Sequence, residues 1–438
     1  MPERAARRLL EFEGRALLTR LDLLEPFAAR DPMVAAAAPS RVARHAVDRY
    51  LAAEIRRVRG QVQSYLLQLE KDWDEPGGEM LARRLIFLRL RFNSLLADFD
   101  TFDDVLTQRC QTHNGVWLAG LDVAASDGLV VPGLDLPAPP VVCYLDRGHG
   151  AAIRRARTRL ATGANPVAIV RIPRERMVGG GIASSLLHEV GHQAAALLDF
   201  LPPLRTTLQA KQVLAGEERP VWRLWELWIS EIVADFWAVM QLGITATLGL
   251  ISVVSLPRVF VFRVAADDPH PVPWIRVLLS CALGQAAYPH AEWGKVAALW
   301  KTLYPLRNLD SARLAMLRRL EDTIPELARM LVDQRPASLR GKTIPQALEI
   351  EKRTPGRLRA LFERDRLAPE TLAGTRPTLA LAVLGQARAD GRLGPEAEAR
   401  VLEWLFRQWA LRRVRAEASA EPKRNGCRCG CNAPAALN

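Results

Sequence analysis

Lysine is scarce in this 438-residue chain: only seven of its 60 basic residues are Lys, and the rest are Arg. Such a skew follows genome base composition more readily than nucleic-acid recognition, so the net charge of +12 is not read as a nucleic-acid footprint. It favours acidic partners in general and says nothing about the fold. Cysteine is thin as well. The six Cys are not spaced as a disulfide framework. Cys110, Cys143 and Cys281 fall singly in segments that read as cores, where a thiol packs as a small hydrophobe, and Cys427, Cys429 and Cys431 crowd one end. The start, Met1-Pro2-Glu3-Arg4, does not lead into the uninterrupted apolar stretch of a secretory signal. A cytoplasmic protein is the expectation. Chain-wide disorder is excluded by the 49% hydrophobic content.

Apolar positions recur at helical spacing through residues 1–115, for example Leu51, Ile55, Val58, Val62, Tyr65 and Leu69. The pattern breaks at Asp74-Glu75-Pro76-Gly77-Gly78. Beyond it Gly, Pro and Asp become frequent. β-branched runs at 140–145 and 167–172 predict strands, the Arg-rich stretch 151–160 between them predicts a helix, and Gly179-Gly180-Gly181 predicts a hinge. Residues 306–415 return to helical texture, including 380–387 and 395–411, the latter with Val401, Leu402, Leu405 and Trp409 on one side. From 416 the composition offers nothing to pack, which predicts a disordered tail. Residues 236–257 carry no charge and are long enough to span a bilayer. Gln241, glycines and hydroxyl residues within the run argue instead for a buried helix followed by a second core segment. The expected fold class is mainly α with a small mixed β-sheet (α+β).

The richest pattern is Leu187-His188-Glu189-Val190-Gly191-His192-Gln193. Two imidazoles four residues apart project from one helical face and can bind a single ion, and Glu189 reaches the same cavity. With only seven His in the chain, chance assembly of this pattern is improbable. Zinc is the implied cofactor, one catalytic ion that brings the pKa of a water to about 7 while Glu189 takes its proton and later passes it to the leaving amine. Catalytic zinc needs a third protein ligand. Trp228-Ile229-Ser230-Glu231-Ile232-Val233-Ala234-Asp235 supplies Glu231 in an apolar helical context, after an interval with room for a loop near Pro202-Pro203 and a return helix. Asp235, one turn on, is spaced to accept a ring N–H of His188 and fix its tautomer. Ile232, Val233, Phe236 and Trp237 bury this helix, and buried carboxylates require partners.

HExxH followed by ExxxD resembles the gluzincin signature of thermolysin-like peptidases. The stretch Ser230 to Asp235 is similar to the ExxAD version found in the CAAX-prenyl-protease and HtpX-like family. In that family a His-Pro pair and an Arg follow, as in Asp268-Pro269-His270-Pro271-Val272-Pro273-Trp274-Ile275-Arg276. The resemblance covers only about residues 165–280 and implies a zincin-like metallopeptidase domain there; with the changes in texture the domain is expected over 116–305, between helical regions at 1–115 and 306–415. The resemblance also implies that His270 sits across the cleft and stabilises the oxyanion, with Arg276 holding that segment or aiding it electrostatically. Members of the family carry transmembrane helices, which are not expected here, so membrane substrates are not carried over. Cytoplasmic proteins or peptides are the expected substrates.

Weaker signals complete the reading. In such folds the strand before the HExxH helix, here 167–172, would take a substrate backbone by strand pairing, with Arg171, Arg174 and Arg176 lining the entrance. A thiolate of Cys427, Cys429 or Cys431 reaching the open zinc position would keep the enzyme latent. The segment 387–396 lacks the alternating oxygen ligands of a calcium loop and reads as a helical connection. The C-terminal helices are expected to recognise a protein partner or to cover the catalytic lobe. Two other readings stay open: a catalytically silent, zinc-stabilised binding or regulatory protein, and a basic nucleic-acid partner that borrows the fold.

Overall fold

Three long helices open the chain, α1 (Pro2–Asp22), α2 (Arg41–Lys71) and α3 (Glu75–Leu106), in a computed structural model that describes residues 2–71, 73, 75–110, 112–147, 151–174, 181–265, 267–365 and 369–420. The helically spaced residues Ile55, Val58, Val62, Tyr65 and Leu69 of α2 are buried against Leu17 and Leu21 of α1 and Leu81, Leu85 and Leu95 of α3. The break falls between Lys71 and Glu75, with Pro76 in the first turn of α3, where its missing N–H costs no helical bond. Cys110 closes a single 3₁₀ turn after α3 and is exposed, so it is not a core thiol; Cys143 and Cys281 are buried as expected.

After α4 (Thr112–Gly128) come β1 (Val141–Asp146), β2 (Ala152–Arg154) and β3 (Ala168–Pro173), a mixed sheet in the order β1-β3-β2. β1 runs parallel to β3, with Val141 opposite Ala168, and β2 runs antiparallel to it, with Ile153 opposite Val170. Both outer strands occupy the sides of β3, so the expected pairing of a substrate with 167–172 is overturned there; the edge strands are β1 and β2. The helix expected over 151–160 is also absent. Ala and Arg favour a helix locally, but pairing with β3 and a hairpin over 157–165 win. Arg157 takes φ +64°, and the Asn165 amide donates to the carbonyls of Arg154 and Arg155. Asp98, buried on α3, holds the hairpin tip by accepting from the N–H groups of Ala161 (2.9 Å) and Thr162 (3.0 Å).

The sheet has two covered faces. Cys143, Val170 and Ile172 pack into the main core, and Val142, Leu160 and Ile169 pack against α2 and α3. The main core extends from Trp117 to Trp409. It gathers α5 (Gly181–Leu197), α6 (Leu201–Leu214), α7 (Arg219–Leu242), α8 (Ile244–Val254), α9 (Arg258–Val261), α10 (Pro273–Ala287), α11 (Ala291–Leu303) and α12 (Ser311–Asp333). Then follow α13 (Ile344–Ala347), α14 (Pro355–Asp365), α15 (Pro369–Gly374), α16 (Pro377–Ala389) and α17 (Pro395–Ser419). Pro202 and Pro203 belong to the first turn of α6 rather than to a loop, again where proline is tolerated. The uncharged run 236–257 bends at Gly243 (φ +58°) into the end of α7 and the short α8. No described helix is long and apolar enough to cross a membrane.

α17 lies across α4, with the Phe406 and Trp117 rings 5.5 Å apart, so the last helix covers the main core. It continues past residue 415 because its end finds partners at the other end of the chain. Glu417 accepts from the Arg41 N–H (3.2 Å), and Arg413 donates to the carbonyl of Ala38. The cysteines at 427, 429 and 431, Arg176, Gly179 and Gly180 lie outside the described residues.

The helices α5 and α7 that carry the two motifs meet backbone to backbone. A Cβ built on Gly191 would lie 2.9 Å from both Cα and O of Ala234 and 3.1 Å from Cβ of Trp237. These neighbours are backbone and stem atoms that cannot swing aside. Gly191→Ala is therefore expected to lower stability by about 1–3 kcal/mol through overpacking. Gly60→Ala, in the open middle of α2 with nothing within 4 Å, should instead raise stability by roughly 0.5–1 kcal/mol. Chemical denaturation of the two variants beside the parent protein checks both signs.

Candidate metal centre

His188 and His192 stand one turn apart on α5, their rings 5.0 Å between centroids and nearly perpendicular at 84°. Across the Gly191–Ala234 contact, α7 delivers Glu231 between them. Its Oε2 lies 3.1 Å from Nε2 of His188 and its Oε1 3.4 Å from Nε2 of His192. One ligand atom from each of the three residues can be chosen so that all lie within 4.8 Å of one another. Donors about 2.0–2.1 Å from a tetrahedral zinc sit about 3.3 Å apart, so the three side chains are spaced as residues that could hold one ion. Two imidazole nitrogens and one carboxylate oxygen also suit zinc chemically.

Behind this face is a second layer. His188 Nδ1 meets Asp235 Oδ1 at 2.8 Å, which keeps the ring proton on that side and turns Nε2 toward Glu231. Arg276, from α10, grips the same carboxylate with Nε on Oδ2 (2.6 Å) and Nη2 on Oδ1 (2.9 Å). Its guanidinium thus backs the ligand layer and does not face the cleft. Across from His192 Nδ1, at 3.5 Å, is the hydroxyl of Ser230.

His270 is placed at the rim. Its side chain is half exposed, and Nε2 stands 3.5 Å from Glu231 Oε2. Asp268 orients it, with one carboxylate oxygen 2.9 Å from both the backbone N and Nδ1 of His270. The carbonyl of Asp268 accepts from Trp228 Nε1 (3.1 Å), which ties this segment to α7. The sequence reading did not assign Asp268 a role. An Asp two residues before a His, across a proline, is a local hydrogen-bonding arrangement that could have suggested it. Gln193 was missed as well: its Oε1 accepts from the N–H of Ala156 (2.9 Å) and fixes the segment after β2 to the motif helix.

Arg171 does not line the entrance. Alternation along β3 sends Val170 and Ile172 to the main core and Arg171 to the opposite face, where it lines a cavity with Asp104 and Gln108 and lies 3.7 Å from Asp146. Arg174 is exposed.

Without a metal the cluster is strongly polarised. Burial alone would lower the basicity of His188, but the charge of Asp235 and hydrogen bonds to Asp235 and Glu231 push its pKa up to about 10. Burial would raise Glu231, yet hydrogen bonds from His188 and His192 hold it well below the usual carboxylate range. Burial acts likewise on Asp235, and Arg276 followed by His188 overcomes it. Glu189 differs. Its burial is only partly offset by the two histidines, and its pKa is raised.

No family model, curated protein or solved structure matches the chain.

Two outcomes follow from this geometry. Asp235→Asn should weaken zinc uptake by about 10- to 100-fold, as loss of a ligand-orienting partner does, measured by competition with a chromogenic chelator. In metal-free protein, the stability due to His188 should be fully present below pH 6.5 and fade as pH rises toward 10, because its folded pKa is raised. That due to Glu231 and Asp235 should be present above their unfolded pKa values and fade as pH falls. Thermal melts in chelator should therefore show His188→Ala losing the alkaline limb of the profile.

Proposed function

We propose that the protein is a zinc-dependent endopeptidase of the gluzincin type that cleaves cytoplasmic proteins or peptides. The observation that carries this reading is the convergence of His188, His192 and Glu231 to within 4.8 Å, with buried Glu189 on the same helix. The three converging residues would hold the ion. A zinc ion there supplies Lewis acidity, polarising the scissile carbonyl and lowering the pKa of water to about 7.

The remaining work falls to side chains of this chain. Glu189, made more basic by burial, takes a proton from the attacking water and returns it to the leaving amine. Asp235 keeps a proton on Nδ1 of His188, so Nε2 is the donor atom, and Arg276 keeps Asp235 ionised. His270, oriented by Asp268, supplies a ring N–H donor for the oxyanion as charge develops there. The resemblance to ExxAD peptidases with a following His-Pro pair and Arg supports these roles. The absence of a described membrane-crossing helix supports a substrate met outside the bilayer.

Glu189→Gln is expected to retain one zinc per chain by metal analysis while casein cleavage falls by about 100- to 10,000-fold. His188→Ala should lose the zinc as well. If Glu189→Gln cleaves as fast as the parent, the base assignment is wrong. A zinc-loaded parent that cleaves nothing would instead be a zinc-stabilised binding protein.

A further inference from the structure

The face of α7 that carries Glu231 does not end at the candidate centre. Pro220, Arg223, Leu224 and Leu227 precede Glu231 by offsets that bring them to within about a quarter turn of it on a 3.6-residue helix. The opposite face, with Trp222, Trp225 and Ile229, is buried, whereas Leu227 remains 37% exposed. The exposed face forms one wall of a groove of about 670 Å³. Val264 and Met316 of α12 form the other wall, and Arg205 of α6 stands at its mouth.

Groove and centre share α7. Along one wall, α7 runs from Leu227 to Glu231. Beside the other, His270 stands 3.5 Å from Glu231, and Trp228 Nε1 of α7 donates to the carbonyl of Asp268 two residues before it. On an axial rise of about 1.5 Å per residue, Leu227 lies about 6 Å from Glu231 and Pro220 about 16 Å. An extended peptide advances about 3.3 Å per residue, so the groove takes residues about two to five positions from a bond held at the centre.

The lining states what would fit. Leu224, Leu227, Val264 and Met316 offer an apolar floor. Arg205 and Arg223 are exposed on the rim, and neither is ion-paired among the described residues. The one acid present, Glu226, is drawn toward α6 by the amides of Gln209 and Gln212, each at 2.6 Å. The rim is left net positive.

We infer that this groove selects substrates carrying a bulky apolar residue beside an acidic one, on one side of the scissile bond. The inference rests on the peptidase reading for its scissile bond, but the binding it describes can be measured separately.

The test uses the zinc-loaded full chain and internally quenched peptides in which a Leu-Glu or Leu-Lys pair is walked along both sides of the cleavage site. The parent should prefer Leu-Glu by about 3- to 10-fold in kcat/KM at some position, as two solvent-exposed ion pairs allow. The Arg205→Glu, Arg223→Glu double variant should reverse that order through KM with kcat unchanged, a signature that a folding defect does not give. Fluorescence anisotropy of the same peptides supplies the second readout. Binding that prefers Leu-Glu and reverses in the double variant, with no cleavage, would uphold the groove and overturn the peptidase reading. Cleavage with no preference at any position, or with an order the double variant leaves unchanged, would overturn the groove alone. Neither binding nor cleavage would overturn both.

Discussion

Two helix backbones touch where Gly191 of α5 meets Ala234 of α7, and the candidate centre depends on that contact. Glu189 and His192 flank the glycine, and Glu231 and Asp235 flank the alanine. An ordinary helix pair packs with axes about 8–10 Å apart, the distance set by the side chains between them. Here nothing stands between the backbones, so an imidazole and a carboxylate from opposite helices reach one another with room for a single ion. The small residues inside both motifs are therefore part of the chemistry: any larger side chain would spread the donors. The tight packing also lets α7 be nearly all core on its far side, where Trp222, Trp225 and Trp228 are fully buried.

Burying this many ionisable groups is costly unless each is answered, and here they are answered in series. Arg276 answers Asp235, Asp235 answers His188, and His188 answers Glu231. Charges alternate along the series, so each bond strengthens its neighbours in a poorly solvated setting. The groups come from three helices, α5, α7 and α10, and the series fixes their mutual rotation more sharply than apolar packing would. Glu189 stands aside from it and keeps a raised proton affinity, which separates the group suited to moving protons from those suited to holding a cation.

Much of this was legible in the sequence because it is local. HExxH and ExxAD each place their residues within two helical turns, and a 3.6-residue period converts such spacing directly into a shared face. The pairing of His188 with Asp235 and the split of the uncharged run 236–257 were readable on the same basis. What escaped depended on partners distant in sequence. Residues 151–160 have helix-forming composition, and only β3 and Asp98, which lies on α3, make them a strand and hairpin. The two occupied sides of β3 cannot be read from β3. Nor can the face taken by Arg171, because it depends on which layer each side of the sheet meets. Arg276 was singled out by the resemblance to ExxAD peptidases, but its grip on Asp235 is a contact between α10 and α7 that no local pattern encodes.

The closure of α17 on the start of α2 bears on how the molecule is made. Arg41 and Glu417 stand near opposite ends of the chain, yet they share a hydrogen bond, and Arg413 reaches back to Ala38. During synthesis, the motif helices α5 and α7 emerge long before α17 exists to cover α4. At roughly 5–20 residues per second, the ribosome needs another ten seconds or more to add that last helix. Until then the apolar surface of α4 that meets Phe406 stays open, and the main core around the ligand helices is unfinished. The apolar face of α4 is therefore covered only once α17 has been added, by a helix that bonds back to the start of α2.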